Sequence, residues 1–193
     1  MKDVSQHGEY RIIKKYFDDN PPKYRCLVDV GANGVSLSNS YNLLQNNSWK
    51  GLLIEPETEN YGELRKVYDK TANVIVLQMA ISNYVGEAKL YIHDKRGHHS
   101  LVKGTDKHIT VRVNTLPNIL SDNGIPSHFD FLTVDAEGED YKIIENMFRY
   151  SEYRPTVIVY EKKDGKKVLD ELMKEFGYRQ LDETRGNVIH VRD

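Results

Sequence analysis

The stretch Cys26-Leu27-Val28-Asp29-Val30-Gly31-Ala32-Asn33-Gly34 decides how the rest of this chain is read. An apolar run carrying one acid, Asp29, gives way to glycines at 31 and 34, the pattern of a buried strand over 26–30 entering a tight turn. Glycine there lets the backbone approach a ligand closely, and a helix starting beyond the turn offers free N–H groups. The arrangement suits a nucleotide-like cofactor. It is not the G-x-G-x-x-G of a dinucleotide site, however, and any tight strand-to-helix turn shares its two glycines.

Beyond this turn, the periodicity predicts a helix over 36–45, a strand over 51–55, a helix over 58–68 and a strand over 74–79. This is the β-α-β-α-β half of a nucleotide-binding fold. Upstream, Ile12, Ile13, Tyr16 and Phe17 recur at helical spacing over 9–18 until Asn20-Pro21-Pro22 stops them. Downstream, Ala88, Leu90 and Ile92 alternate with polar neighbours in a strand over 87–93. A polar, histidine-bearing loop over 93–108 follows, then a short strand over 109–113 and a short helix over 116–120. A buried strand over 129–134 ends at Asp135 and is followed by a helix over 139–148. Another strand, over 156–160, ends at Glu161, and a helix over 168–176 is capped by Gly177. Residues 178–181 and 187–191 read as a closing antiparallel pair. Alternating strands and helices predict an α/β domain spanning 1–193, a mostly parallel sheet covered by helices, with 1–22 as an N-terminal helical flap.

Composition narrows the function classes. With 27 Lys and Arg against 29 Asp and Glu, the formal charge is -2, so no global basic field invites nucleic acid. The densest basic run, Lys162, Lys163, Lys166 and Lys167 around Asp164-Gly165, reads as a solvated loop and helix face. Cys26 is the single cysteine and precedes an apolar run, so it reads as a buried reduced thiol. Residues 1–7 carry no apolar h-region and no segment approaches the length of a membrane span, so secretion and membrane insertion are not expected and a cytoplasmic location is.

Two acids sharpen the ligand. Glu55, ending the second strand, is placed to accept both hydroxyl protons of a ribose. Asp29, just ahead of the turn, suits the cationic amino-acid end of S-adenosylmethionine and would repel a pyrophosphate. Together they favour the methyl donor over NAD.

At this point the sequence resembles the FkbM-type methyltransferases. The resemblance is carried by Ser5-Gln6-His7-Gly8-Glu9, Val28-Asp29-Val30-Gly31-Ala32-Asn33, Leu37-Ser38-Asn39-Ser40 and Trp49-Lys50-Gly51-Leu52-Leu53-Ile54-Glu55-Pro56. Ala80-Ile81-Ser82 with Gly86-Glu87, and Phe129-Asp130-Phe131-Leu132-Thr133-Val134-Asp135-Ala136-Glu137-Gly138, complete it in order. It implies a Rossmann-like methyltransferase fold: a seven-stranded, mostly parallel sheet with helices on both faces and one antiparallel strand near its edge. It also implies methyl transfer from S-adenosylmethionine to a hydroxyl of a sugar, glycan or secondary metabolite. Carried over by position, Asp29, Gly31, Ala32 and Asn33 would line the methionine end, and Glu55, with Pro56 beside it, would hold the ribose. Ala80, Ile81 and Ser82 would flank the adenine, and Asp135, Glu137 and Gly138 would stand beside the reacting methyl. The chain departs from the family where Asn33 meets Gly34 directly without the frequent extra residue, which predicts a tighter turn.

An aliphatic hydroxyl is a poor nucleophile until it loses its proton, so the reaction calls for a base. Asp135, Glu137 and Glu161 are the catalytic candidates, because strand ends converge at the ligand crevice of an open α/β sheet. For Glu137, capping of the following helix is an equal reading. His98 and His99 are weaker candidates, and His108 and His190 weaker still. The three acids could also gather a divalent cation, but a metal-free site is the default expectation. The expected partner is a small-molecule or glycan acceptor, met by a pocket built from loop 93–108, the N-terminal flap and the segment after Asp135. Ser5, Gln6 and Glu9 would belong to that flap or simply cap the first helix. An NAD-linked oxidoreductase and a noncatalytic cofactor-binding module are the alternatives, the first disfavoured because neither a pyrophosphate loop nor a Tyr/Lys or His catalytic group is evident, the second because the acids are all retained.

Overall fold

A computed structural model describes residues 2–45, 48–94, 98–162 and 166–192. The elements run α1 (Glu9–Asp19), β1 (Cys26–Val30), α2 (Tyr41–Leu44), β2 (Lys50–Ile54), α3 (Thr58–Tyr68), β3 (Val74–Leu77), β4 (Ala80–Ser82) and β5 (Gly86–Tyr91). They continue as β6 (His108–Thr115), α4 (Leu116–Asp122), β7 (His128–Val134), α5 (Asp140–Tyr150), β8 (Arg154–Glu161), α6 (Lys166–Glu175), β9 (Arg179–Glu183) and β10 (Asn187–Val191).

Seven strands form the central sheet in the order β3-β2-β1-β7-β8-β10-β9. β10 runs antiparallel to both neighbours, second from the edge, and the other pairs are parallel. The chain winds outward from β1 to β3 and later returns to place β7 against β1, so the order reverses between β1 and β7. Ligands bind outside the carboxyl ends of the strands at such a reversal.

Period-two alternation divides the strand residues between two cores, which is why the strands read as continuous apolar runs. Val28, Leu52, Leu132, Ile158 and Val188 pack with α4, α5 and α6 residues such as Leu120, Ile144 and Met173. Leu27, Leu53, Phe131, Val159 and Ile189 pack on the opposite face with Ile13 and Phe17 of α1, Leu44 of α2 and Leu64 of α3. Cys26 is buried in the first core, where burial pushes its thiol up to about 11.

Two sequence expectations are corrected here. The helix expected over 36–45 shrinks to α2, Tyr41–Leu44. Ser38 Oγ accepts from the N–H groups of Ser40 (3.2 Å) and Tyr41 (3.0 Å), Ser40 Oγ donates to Asp29, and Leu37, at φ 69°, forms a bridge with Ser5. Such side-chain bonds offer the backbone an alternative to helix. The strand expected over 74–79 stops at Leu77, and Ala80–Ser82 leave to form β4 of a second, three-stranded sheet ordered β4-β6-β5. That small sheet encloses its own core of Ala80, Leu90, Val111 and Val113. It carries the loop predicted over 93–108, of which residues 95–97 lie outside the described residues. Within the basic run, Lys162 pairs with Glu183 at 2.8 Å, whereas Lys163, Asp164 and Gly165 lie outside the described residues. Among the described residues no helix is long and apolar enough to cross a membrane.

Asp130 in β7 fixes the entry to β1. Its carboxylate, in a residue only 2% exposed, accepts from the N–H groups of Lys23 (2.7 Å), Tyr24 (3.0 Å) and Cys26 (3.0 Å). Removing it would strand three backbone donors. Asp130→Ala is expected to cost about 3 kcal/mol of unfolding free energy in urea titration. A loss below about 1 kcal/mol would show that the loop before β1 finds other partners.

Candidate active site

The turn after β1 is shaped by its neighbour. Gly31 sits at φ 78°, and a Cβ placed on it would lie 1.9 Å from the carbonyl oxygen of Asp135, so only glycine fits. Asp135 N–H in turn donates to Val30 O at 2.9 Å, which joins the ends of β1 and β7. Asn33, at φ 44°, and Gly34, at φ 151°, complete a tight turn in which Gly34 N–H bonds Ala32 O, as the missing family residue predicts.

The N–H groups of this turn do not face a ligand, contrary to the expectation of a helix N-terminus there. Those of Gly31 (2.9 Å) and Ala32 (3.1 Å) both donate to Ile54 O, and that of Asn33 donates to Glu55 Oε2 at 2.8 Å. Glu55 takes a second bond, from Glu57 N–H, on Oε1 at 2.8 Å. It lies just past β2, is 4% exposed, and burial pushes its carboxyl up to about 7 despite these two donors. Asp29, 5% exposed and bonded by Ser40 Oγ at 2.5 Å, is pushed up to about 6 by burial.

Two contiguous hollows flank this turn. One, of about 530 Å³ including space open to solvent, is lined by Glu55, Pro56, Asn60, Met79, Ala80, Ile81, Leu90 and Leu101 among others. The expected Ala80 and Ile81 are there, but Ser82 is not: it is fully buried and donates to Glu139 Oε2 at 2.5 Å. The second hollow, of about 720 Å³, holds Asp29, Ala32, Asn39, Thr133 and the three catalytic candidates Asp135, Glu137 and Glu161. Gly31, Asn33, Asp135 and Glu137 line both.

The three acids converge as the strand-end argument expects. Carboxylate oxygens of Asp135, Glu137 and Glu161 lie within 4.8 Å of one another, close enough for one divalent cation to reach all three. Glu137 is not the helix cap. It stands at φ 49°, three residues ahead of α5, with its carboxylate 3.4 Å from His98 Nδ1 and its carbonyl accepting from Ser100 Oγ at 2.6 Å. His99 lines the first hollow, where burial lowers its pKa. His108 is exposed on β6, and His190 is buried against Tyr160.

Sequence reasoning missed Asp140, taken only as favourable charge at a helix start. Asp140 Oδ1 accepts from Ala136 N–H (2.9 Å) and Oδ2 from Glu161 N–H (3.2 Å), so one buried carboxylate ties together the two strand ends that carry the acids. Burial pushes it up to about 7. An acid three residues beyond the Asp135-Ala136-Glu137 signature was the available signal. The N-terminal segment reaches the site too: Gln6 lines the second hollow, and Glu9 is anchored by Thr184 Oγ1 (2.6 Å) and Asn187 Nδ2 (2.9 Å).

Comparison with known proteins accords with this geometry. Residues 29–180 match the model of the methyltransferase FkbM domain. A methyltransferase from Geobacter sulfurreducens is 12% identical with a TM-score of 0.55, over 99% of this chain and 82% of that one. The precorrin-6y C5,15-methyltransferase of Geobacter metallireducens is 16% identical with a TM-score of 0.53, over 96% and 87%. M. capricolum TrmK, solved with its cofactor product S-adenosylhomocysteine, is 12% identical with a TM-score of 0.55, over 98% and 68%. At these identities the structures show the shared fold, and no curated protein matches the sequence. Sheet order and paired hollows define an α/β protein of the Rossmann-like methyltransferase class. Within that class, the chain belongs to the FkbM methyltransferase family.

The buried acids have a linked effect on stability. A carboxyl whose folded pKa is raised from its ordinary 4.5 to about 7, as for Glu55, stabilises the folded state below pH 4.5, and that contribution is lost as pH rises through 7. Glu55→Gln has no such proton. The wild-type melting temperature, minus that of Glu55→Gln, is therefore expected to rise by about 3 °C or more between pH 8 and pH 5.5 in ligand-free protein, roughly 1 kcal/mol for a chain of this size. A constant difference would mean that Glu55 titrates normally.

Proposed function

We propose that this chain uses S-adenosylmethionine to methylate a hydroxyl of a sugar, glycan or related secondary metabolite. The observation that carries the reading is the convergence of Asp135, Glu137 and Glu161 in a hollow contiguous with one suited to adenosine. Residues present fit the cofactor: Glu55 for the ribose hydroxyls, apolar walls from Met79, Ile81 and Leu90 for the base, and acids around its cationic end. No lysine or arginine lines the second hollow among the described residues, which disfavours a pyrophosphate and hence a dinucleotide.

S-adenosylmethionine, when bound, supplies an electrophilic methyl group. The protein must align the acceptor oxygen and take its proton. Asp135 is the proposed base, since it stands at the end of β7, where the two hollows meet, and its backbone is locked against Val30 and Gly31. Glu161 and Glu137 would hold the acceptor by hydrogen bonds from neighbouring hydroxyls, with His98 keeping Glu137 in place. A cluster of carboxylates suits a neutral polyol, whose hydroxyls donate, better than an anionic acceptor.

With methyl-labelled S-adenosylmethionine and a panel of neutral glycosides and polyol metabolites, label is expected in a base-stable ether. Asp135→Asn should lower the rate by about 100-fold or more, with the Kd for S-adenosylhomocysteine within about threefold of wild type. Wild-type turnover in that variant would remove Asp135 as the base. In the metal-free reading, EDTA leaves the rate unchanged. A loss on chelation restored by Mg2+ would make the three acids metal ligands instead.

A further inference from the structure

Ser38-Asn39-Ser40 occupies the place where the sequence predicted helix, and its side chains reach the sheet. Ser40 Oγ donates to Asp29 Oδ2 at 2.5 Å, and Asn39 Nδ2 donates to Thr133 Oγ1 at 3.3 Å. Asp29 and Thr133 are direct partners across the β1–β7 pair. Two consecutive side chains thus grip adjacent strands at the point where the strand order reverses.

The grip uses only one side of the Asn39 amide. Asn39 is 9% exposed and lines the second hollow, yet its Oδ1 has no hydrogen-bond partner among the described residues. A buried amide oxygen left unpaired is costly and calls for a donor. The turn cannot supply one, because the N–H groups of Gly31, Ala32, Asn33 and Gly34 are all bonded within the protein. No lysine or arginine lines the hollow among the described residues. The carboxylates of Asp29, Asp135 and Glu161 line the same hollow as the Asn39 oxygen, so acceptors are concentrated there. A concentration of carboxylates with no lysine or arginine beside them suits an ammonium group.

We propose that Asn39 Oδ1 accepts a hydrogen bond from the α-ammonium of the cofactor's amino-acid end. Asn39 then orients that end of the cofactor at the junction of β1 and β7, a task left open by a turn whose own N–H groups are spent on Ile54, Glu55 and Ala32. The assignment rests on the proposed use of S-adenosylmethionine.

Calorimetry with S-adenosylhomocysteine and three analogues tests it: 5′-methylthioadenosine, which lacks the amino-acid end, the deaminated compound and the decarboxylated compound. Asn39→Ala is expected to weaken S-adenosylhomocysteine about tenfold and to move 5′-methylthioadenosine less than about twofold, as for one hydrogen bond to a charged group. Equal loss for both ligands, or for neither, overturns the proposal, the first outcome marking a purely structural residue. Wild-type protein alone gives a second reading that does not need the variant to fold: it should bind the deaminated compound about tenfold more weakly than S-adenosylhomocysteine. In Asn39→Ala this discrimination should shrink severalfold, the acids around the ammonium supplying what remains, as in a double-mutant cycle. If wild type tolerates deamination but not decarboxylation, the amide faces the carboxylate and the assignment fails. If wild type binds 5′-methylthioadenosine but gains nothing from the amino-acid end, Asn39 has no such role while the adenosine site stands. If it binds none of the four, the proposed cofactor itself is wrong.

Discussion

The close approach of the turn after β1 to the end of β7 is the constraint on which the rest of the site depends. With Gly31 pressed onto the Asp135 carbonyl and Asp135 N–H bonded to Val30 O, the two strands flanking the reversal of sheet order end as one unit. That contact fixes where Asp135 begins, and through Asp140 it extends to Ala136 and to Glu161 on β8. The three acids therefore stand on backbone tied across three adjacent strands rather than on independent loops. Such fixed placement is what reaction geometry requires of groups that align an acceptor.

The same construction concentrates buried negative charge. Asp29, Glu55 and Asp140 are all pushed up from their ordinary values by burial, and only a few backbone or hydroxyl donors offset it. In the folded protein without ligand these groups oppose stability at neutral pH. A cationic ligand end and ribose hydroxyls would relieve that cost, so the electrostatics that weaken the empty fold are those that would favour the proposed cofactor. Glu9 behaves differently: burial raises its pKa, but hydrogen bonds from Thr184, Asn187 and the backbone of His7 and of Glu9 itself together outweigh it and lower the pKa, which suits a structural anchor between the N-terminal segment and the β9–β10 turn.

Much of this was legible in the sequence because it follows from period and end position. β1, α3 and β10 fall on their predicted residues, since each is a clean apolar pattern with a stop signal at its edge. Asp135, Glu137 and Glu161 converge because each was read as closing, or closely following, a strand of a parallel sheet. What escaped was set by tertiary partners. Ser38 and Ser40 turned an amphipathic pattern into a non-helical segment by bonding backbone and Asp29, and nothing in their spacing distinguishes that from a helix start. Ala80–Ser82 left the main sheet for β6, a partner more than twenty-five residues away in sequence. Asp140 looked like dipole charge because its true partners, Ala136 and Glu161 N–H, meet only once β7 and β8 are side by side.

The division of labour along the chain follows from these particulars. Polar groups proposed for the cofactor come from the β1 turn, the end of β2 and Ser38-Asn39-Ser40, all part of the parallel half whose geometry is dictated by strand order, while the apolar wall for its base includes Ile81 and Leu90 of the small sheet. The outer wall of the site comes instead from segments that the central sheet does not specify: the loop of the small sheet, bringing His98 and His99, and the N-terminal segment, bringing Gln6. The loop is pinned at Ser100, whose N–H and carbonyl pair with Tyr91 and whose hydroxyl bonds the Glu137 carbonyl. The N-terminal segment is pinned by Glu9 and by the reciprocal bonds of Val4 and Lys2 with the Asn42 side chain. A few polar contacts hold each segment, and the sheet constrains little of the sequence between them. Acceptor preference can therefore be altered in these two segments without disturbing the Gly31–Asp135 contact that holds the proposed chemical centre together.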